Sequence, residues 1–377
     1  MIIGITGLNA AGKTEVAKFL ERKGFLYVSA NKVFSEEAKR RGLTTDRSDL
    51  IKVANQLREE LGGDAFIIKA EEIFKDAFGK NDIVIESIRN PKEIEHLQRY
   101  DDFYLIGIKA SIYKRYERAK ARARDKEVKS FEEFKKSEEK ELFSSNPNAQ
   151  QLLKCYEAID YEIINEGTLD ELFEKIDVLL EIIKEIKTPL QRYENTYFTL
   201  YKFDNKIIKR PFKHKYYLNI AKEVSSRSTC LNVRFGAIIV KEDQIISTGY
   251  VGAPRKVLSS LDRGYCLRRQ LNIPSGQRYE LCRSVHAEQN AIINAARAGV
   301  SVLNSRMYFW GARYGDNGML KLINGLPCFI CKKMIINAGI KQFISHDKKG
   351  RIKIYDVEEW QRFWSEHDML EDVNVYK

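Results

Sequence analysis

A chain of 377 residues with 44% hydrophobic and 31% charged content has the balance of a globular protein and the length of two domains. It contains no run of about 18 apolar residues, so no membrane-spanning helix is expected. The net charge of +11 leaves nucleic acid or phosphorylated small molecules open as partners. Its basic residues alternate with acidic ones, as over 135–141, in the manner of a solvated helix face. Nucleotides are therefore expected as substrates, and nucleic acid is not expected as the main one.

In chain order, Met1-Ile2-Ile3-Gly4-Ile5-Thr6 lacks the basic lead of a secretory signal and reads as a strand, so a cytoplasmic location is expected. Directly after it comes Gly7-Leu8-Asn9-Ala10-Ala11-Gly12-Lys13-Thr14, matching G-x-x-x-x-G-K-[ST] between a strand and a helix starting near Glu15. Backbone amides of such a loop wrap phosphates, Lys13 brings a point charge, and Thr14 offers a hydroxyl to magnesium. Mg2+ with ATP or another nucleotide is the expected ligand. Helices are expected over 50–61 and 69–78, and strands over 82–86 and 103–108. Glu86 ends the first of these strands, where a second magnesium-organising acid could lie. A basic helix over 113–124 carries Arg115, Arg118, Arg122 and Arg124. An apolar helical pattern over 169–186 stops at Pro189. These features divide the chain into a nucleotide-binding domain over 1–189, a connector over 190–211 rich in Tyr, Phe and Lys, and a second domain over 212–377.

The second domain opens with a helix over 213–225 and a hairpin of strands over 235–240 and 244–250. Helices follow over 286–297 and 328–337, strands over 306–310 and 341–345, and a last helix over 357–364. Five of the six cysteines lie beyond residue 229, a clustering that favours metal binding over disulfides in a reducing compartment.

Within this half stand His286-Ala287-Glu288 and, downstream, Pro327-Cys328-Phe329-Ile330-Cys331. His286, Cys328 and Cys331 are three ligands of the kind a catalytic Zn2+ takes, with a fourth position left for water. Three residues make nearly one helical turn, so Cys328 and Cys331 face the same way, and a helix start favours their thiolates. Glu288 is free to act as an acid or base on that water. A structural zinc site would need a fourth protein ligand, and none stands beside these three in sequence.

The H-x-E…P-C-x-x-C pattern resembles the zinc-dependent cytidine and deoxycytidylate deaminases. The run from Cys266 to Gly276, the run from Cys282 to Ile292, and Gly249-Tyr250-Val251-Gly252-Ala253-Pro254 resemble the deoxycytidylate branch. The likeness spans roughly 212–350. It implies an α/β/α sandwich on a mixed five-stranded sheet, and hydrolysis of the cytosine 4-amino group of dCMP or dCTP with release of ammonia. It further implies a substrate contact at Arg297, a homo-oligomer, and a possible second zinc at Cys230, Cys266 and Cys282. The chain departs from the family at Val251, where an asparagine is usual in a loop tied to dCTP control, and in a longer segment over 311–326. The first half is similar to nucleoside monophosphate kinases and dephospho-coenzyme A kinases, which implies a P-loop parallel sheet with flanking helices and a basic lid. A joined pair of this kind resembles bacterial antiphage deaminases. Two other expectations are compatible with the motifs: a deaminase acting on cytosine or adenine in DNA or RNA, and a nucleotide-gated regulatory module with a vestigial zinc site.

Overall fold

The computed structural model describes residues 1–122, 130–142, 150–204, 206–274 and 277–366. The chain forms two compact units, one of residues 1–185 and 196–211, the other of residues 186–195 and 212–377. The residues expected as a connector are shared between them. Helix Pro189–Asn195 belongs to the second unit, and a hairpin of two strands within 198–211 belongs to the first.

Among the described residues the first unit has seven strands: β1 (Ile2–Thr6), β2 (Leu26–Ser29), β3 (Ile83–Glu86), β4 (Phe103–Lys109), β5 (Tyr161–Ile164), β6 (Phe198–Phe203) and β7 (Lys206–Pro211). They lie in the order β2-β3-β1-β4-β5-β6-β7, parallel except for β7. All of β1 and β3 is buried, as expected for central strands covered on both faces by helices. The stacked rings of Phe19 and Phe173, 4.3 Å apart, join helices Lys13–Arg22 and Leu169–Lys184. In an open parallel sheet, ligands bind beyond the carboxyl ends of the strands. Here that edge carries the 7–14 loop after β1, Glu86 at the end of β3, and Asn165 just after β5.

The second unit adds β8 (Val233–Lys241), β9 (Gln244–Tyr250), β10 (Arg306–Tyr314), β11 (Leu320–Leu322), β12 (Gln342–His346) and β13 (Ile352–Asp356). Five strands run β13-β12-β10-β8-β9, with β10 and β12 parallel and the other neighbours antiparallel. A sixth, β11, pairs with the far end of β10. The segment over 311–326 is thus partly an extension of the sheet, since β10 runs four residues past the expected end at 310 and turns back through β11.

Side chains alternate across this sheet and build two cores. Ile238, Val240, Tyr308 and Trp310 face helix Lys213–Ser225. Ala237, Ile239, Met307 and Phe309 face Ala287 and Ala291 of helix Ala287–Arg297 and Ile335 of helix Phe329–Asn337. Gly249 sets how closely the first of these helices lies on β9. A Cβ there would stand 2.3 Å from both the Ala287 carbonyl oxygen and the Ala291 amide nitrogen. No described helix is long and apolar enough to cross a membrane.

Candidate metal and nucleotide sites

Two helix starts meet on the second face of the β8–β13 sheet. His286 is the N-cap of helix Ala287–Arg297, and Cys328 is the N-cap of helix Phe329–Asn337, with Cys331 in its first turn. The Gln289 side chain accepts a hydrogen bond from the His286 amide at 3.2 Å and fixes the entry of that helix. His286 Nδ1 lies 3.4 Å from the sulfur of Cys328 and 3.4 Å from that of Cys331. Among the described residues these three form the one His, Cys, Asp or Glu group whose ligand atoms all lie within 4.8 Å of one another.

The electrostatics suit a cation. The Cys328 thiol is pushed down to about 4 by a hydrogen bond from Cys331 and by His286, against the cost of burial. Cys331 is pushed up by the Cys328 sulfur beside it and by burial. Burial disfavours the charged form of His286, but Cys328 and Glu288 outweigh it and raise its pKa. A divalent metal bound by these groups would displace their protons. Zinc bonds of about 2.0–2.1 Å to nitrogen and 2.3 Å to sulfur place tetrahedral N and S ligands roughly 3.5 Å apart, and the observed 3.4 Å fits.

Glu288 is 3% exposed, and burial pushes its carboxyl up to about 7. Its Oε2 is buried with no hydrogen-bond partner among the described residues. Buried polar atoms are normally satisfied, so an orphan oxygen beside a ligand set marks the place of a missing polar guest. The site opens into a cavity of about 770 Å³, lined among others by Phe235, Val251, Tyr279 and Phe309, with Arg268 and Arg313. Val251 is 3% exposed and forms part of the apolar wall.

The other expected residues are placed differently. Cys230, Cys266 and Cys282 line the same cavity, but their three sulfurs do not gather within 4.8 Å of one another. Asn232 donates to Cys230 through its amide at 3.4 Å and to Cys266 through its side chain at 3.7 Å. Arg297 ends helix Ala287–Arg297, exposed, and is not among the residues lining the cavity.

In the first unit the 7–14 loop wraps the start of helix Lys13–Arg22. Gly12 has φ +109°, and a Cβ on it would lie 2.5 Å from the Asn165 side-chain nitrogen. Lys13 Nζ donates to the Leu8 carbonyl at 2.8 Å, and Asn165 Nδ2 donates to the Ala11 carbonyl at 2.8 Å. Thr14 Oγ1 donates to Glu86 Oε1 at 2.6 Å, so the hydroxyl and the strand-end acid stand together. Of the basic helix, Arg118 reaches back to the Asn165 carbonyl at 3.0 Å. Arg115 is buried and paired with Glu138 of helix Phe131–Leu142. Arg124 lies outside the described residues. Both Asn165 and the Arg115–Glu138 pair lacked a sequence signal, because each joins segments far apart in the chain.

Residues 211–346 match the family described as the cytidine and deoxycytidylate deaminase zinc-binding region. A UPF0200 protein of Pyrococcus abyssi is 32% identical over 187 residues, covering 48% of this chain and 97% of its own. The chain thus belongs to the UPF0200 family through its N-terminal half, and its C-terminal half carries the match to the cytidine and deoxycytidylate deaminase zinc-binding region. The UPF0200/UPF0201 protein of Archaeoglobus fulgidus is also 32% identical, over 197 residues, which span 50% of this chain and 58% of that protein. The deoxycytidylate deaminase of Schizosaccharomyces pombe is 25% identical over 349 residues, 91% of this chain and 89% of its own. That last match runs through both the UPF0200 half and the deaminase half.

Proposed function

We propose that residues 212–377 hydrolyse the 4-amino group of deoxycytidine nucleotides, dCMP or dCTP, to the deoxyuridine nucleotide and ammonia. Residues 1–189 bind ATP or another nucleotide with magnesium. The observation that carries the reading is the buried, unpartnered oxygen of Glu288 beside His286, Cys328 and Cys331.

In this reading His286, Cys328 and Cys331 hold zinc, which supplies the positive charge that makes a water nucleophilic near neutral pH. Glu288 does the proton work. Buried beside the ligand set, it would accept a proton from the attacking water, deliver one to the ring nitrogen, and pass one to the leaving amine. The new C4–O bond replaces the C4–N bond, and the amine leaves as ammonia. Phe235, Val251 and Phe309 shield the ring from bulk water, which strengthens these charge interactions. In the first unit, Thr14 and Glu86 together suit magnesium, and the 7–14 loop suits the phosphates. The joining of these two halves supports a role in antiphage defence through depletion of deoxycytidine nucleotides.

Ammonia release from dCMP, dCTP, CMP, cytidine and a cytosine-containing oligonucleotide, with and without ATP and magnesium, tests the reading. Turnover of a deoxycytidine nucleotide that is lost in Glu288→Gln supports it. Absence of turnover of every mononucleotide by zinc-replete protein overturns it, and turnover of the oligonucleotide alone would point to polynucleotide deamination. Protection of cells from phage that disappears with Glu288→Gln would support the defence role.

A further inference from the structure

The sheet of the second unit splits beside the segment that leads to Cys328, and one buried side chain fills the split. Strands β10 and β12 pair only as far as Tyr308 opposite Ile344. Beyond that point β11 takes the place of β12 against β10, with Ala312 opposite Leu322. The chain leaving β11 runs through Ile323, Asn324 and Leu326, which line the cavity, and straight on to Cys328. Whatever holds residues 323–326 therefore sets where the Cys328 helix starts. His346, the last residue of β12, stands where the two strands part. Its Nε2 accepts from the Gly311 amide at 3.1 Å, a donor that an unbroken β10–β12 ladder would pair with backbone. Its carbonyl oxygen accepts from the Gly325 amide at 2.8 Å. Gly325 lies close against the end of β12, where a Cβ would stand 2.9 Å from Ser345 Cβ and 3.0 Å from that same oxygen. Asn324 Oδ1 accepts from the Lys348 amide at 3.0 Å.

The His346 ring can do this in only one form. Its Nδ1 lies 3.1 Å from the Asp347 carbonyl oxygen, which can only accept, so Nδ1 carries the proton and Nε2 keeps its lone pair for Gly311. An imidazolium would set a second N–H against the Gly311 N–H. The surroundings keep the ring neutral. It is fully buried, with the rings of Tyr193 and Trp310 at 5.4 and 5.9 Å. Burial pushes its pKa down to about 4 against the Asp347 carbonyl and carboxylate, and Lys215 adds to the fall. A phenyl ring in the same place would leave the Gly311 amide buried without an acceptor, which costs more than the bond itself contributes.

We propose that His346 is a positioning residue for the zinc site: it wedges β10 and β12 apart so that residues 323–326 enter between them and deliver Cys328 beside His286 and Cys331. This rests on the zinc reading above. Two measurements test it together, hydrogen exchange of the Gly311 and Gly325 amides in metal-free protein and zinc affinity by competition with a chelator. His346→Phe keeps a ring and removes the acceptor. It is expected to speed exchange at both amides and to weaken zinc binding roughly 10- to 100-fold, the range for groups that orient metal ligands. His346→Gln, whose side-chain oxygen reaches the place of Nε2, should restore most of the protection and most of the affinity. Val240→Ala is the control, in the same core but opposite Arg306 at the far end of β10, and it should lower stability without weakening zinc. Unchanged zinc affinity in His346→Phe, or an equal weakening in Val240→Ala at the same loss of stability, overturns the proposal. If the unaltered protein binds no zinc the metal reading falls, and the amides still decide the wedge, since unchanged exchange in His346→Phe overturns it. Should His346→Phe fail to fold, Gly325→Ala, which crowds the same carbonyl from the segment side, takes its place with the same two outcomes.

Discussion

In the proposed reading the two units solve a similar problem, holding a charged guest at a helix start, in opposite ways. The 7–14 loop is one contiguous stretch, and its polar groups satisfy one another, Lys13 on Leu8, Asn165 on Ala11 and Thr14 on Glu86. The proposed deaminase site is assembled from two helix starts about forty residues apart, and it leaves a carboxylate oxygen without a partner. An orphan buried oxygen beside two sulfurs and an imidazole nitrogen is a place suited to a polar guest.

That contrast breaks most sharply at the metal. Cys328→Ser and His286→Ala should each lower bound zinc from about one per chain to nearly none, measured by metal analysis, and reduce ammonia release to background. Glu288→Gln should keep the zinc and lose about 10²–10⁴-fold in kcat, the usual range for a positioned acid–base group. If Glu288→Gln lost zinc as well, the carboxylate would belong to the ligand set and the proposed division of labour would fall.

Lys13→Ala should weaken ATP binding by roughly 10- to 100-fold, measured by equilibrium binding with magnesium, because it removes a charge-assisted contact to phosphate. Zinc content should stay the same. Equal loss of zinc would show that the two sites are not separately built.

What the sequence made legible follows the same contrast. The 7–14 loop, His286, Glu288, Cys328 and Cys331 could be found because each lies in a short motif whose spacing is set by one turn or one helix start. The strand ends were less accessible. Nothing local in Gly311-Ala312-Arg313-Tyr314 announces a strand, since its extended form depends on pairing with Val233–Arg234 on one side and Lys321–Leu322 on the other. Residues 190–211 read as a connector because their aromatic and basic composition is mixed. Half of them completes the first sheet, and Tyr193 packs against Trp310 and His346 in the second unit. Arg297 was expected at the substrate through a motif likeness, but three turns of helix carry it away from the cavity. Composition cannot show such tertiary partners.

Gly249→Ala probes how the second site is held. The added methyl would meet backbone of helix Ala287–Arg297, which cannot move aside as a flexible side chain can. The expected loss is about 1–3 kcal/mol of stability, read by denaturant titration of the zinc-loaded protein, with a fall in kcat as His286 and Glu288 shift together. No loss would mean that this helix is free to ride outward.

The last effect concerns a buried cation and contrasts the units once more. Arg115 in the first is buried against Glu138, whereas Lys215 in the second, 3% exposed, faces the Tyr193 ring and donates to the Tyr193 carbonyl. Burial first, and then Lys222, push Lys215 down to about 6, with Glu194 opposing. An unfolded lysine titrates near 10.4, so between about pH 6 and pH 10 the unfolded chain binds the extra proton. Stability from this group therefore rises with pH across that window and is flat below it, the reverse of a lysine held by a carboxylate. Lys215→Met should remove that rise, which a comparison of thermal midpoints between pH 6 and pH 9 would show. The gain from losing the buried charge is offset in part by the Tyr193 carbonyl left without its donor, about 1–3 kcal/mol, so the slope with pH is a cleaner readout than the midpoint at any one pH. An identical slope in both proteins would mean that Lys215 keeps its proton in the fold, with its charge reaching water by a route the packed side chains do not show.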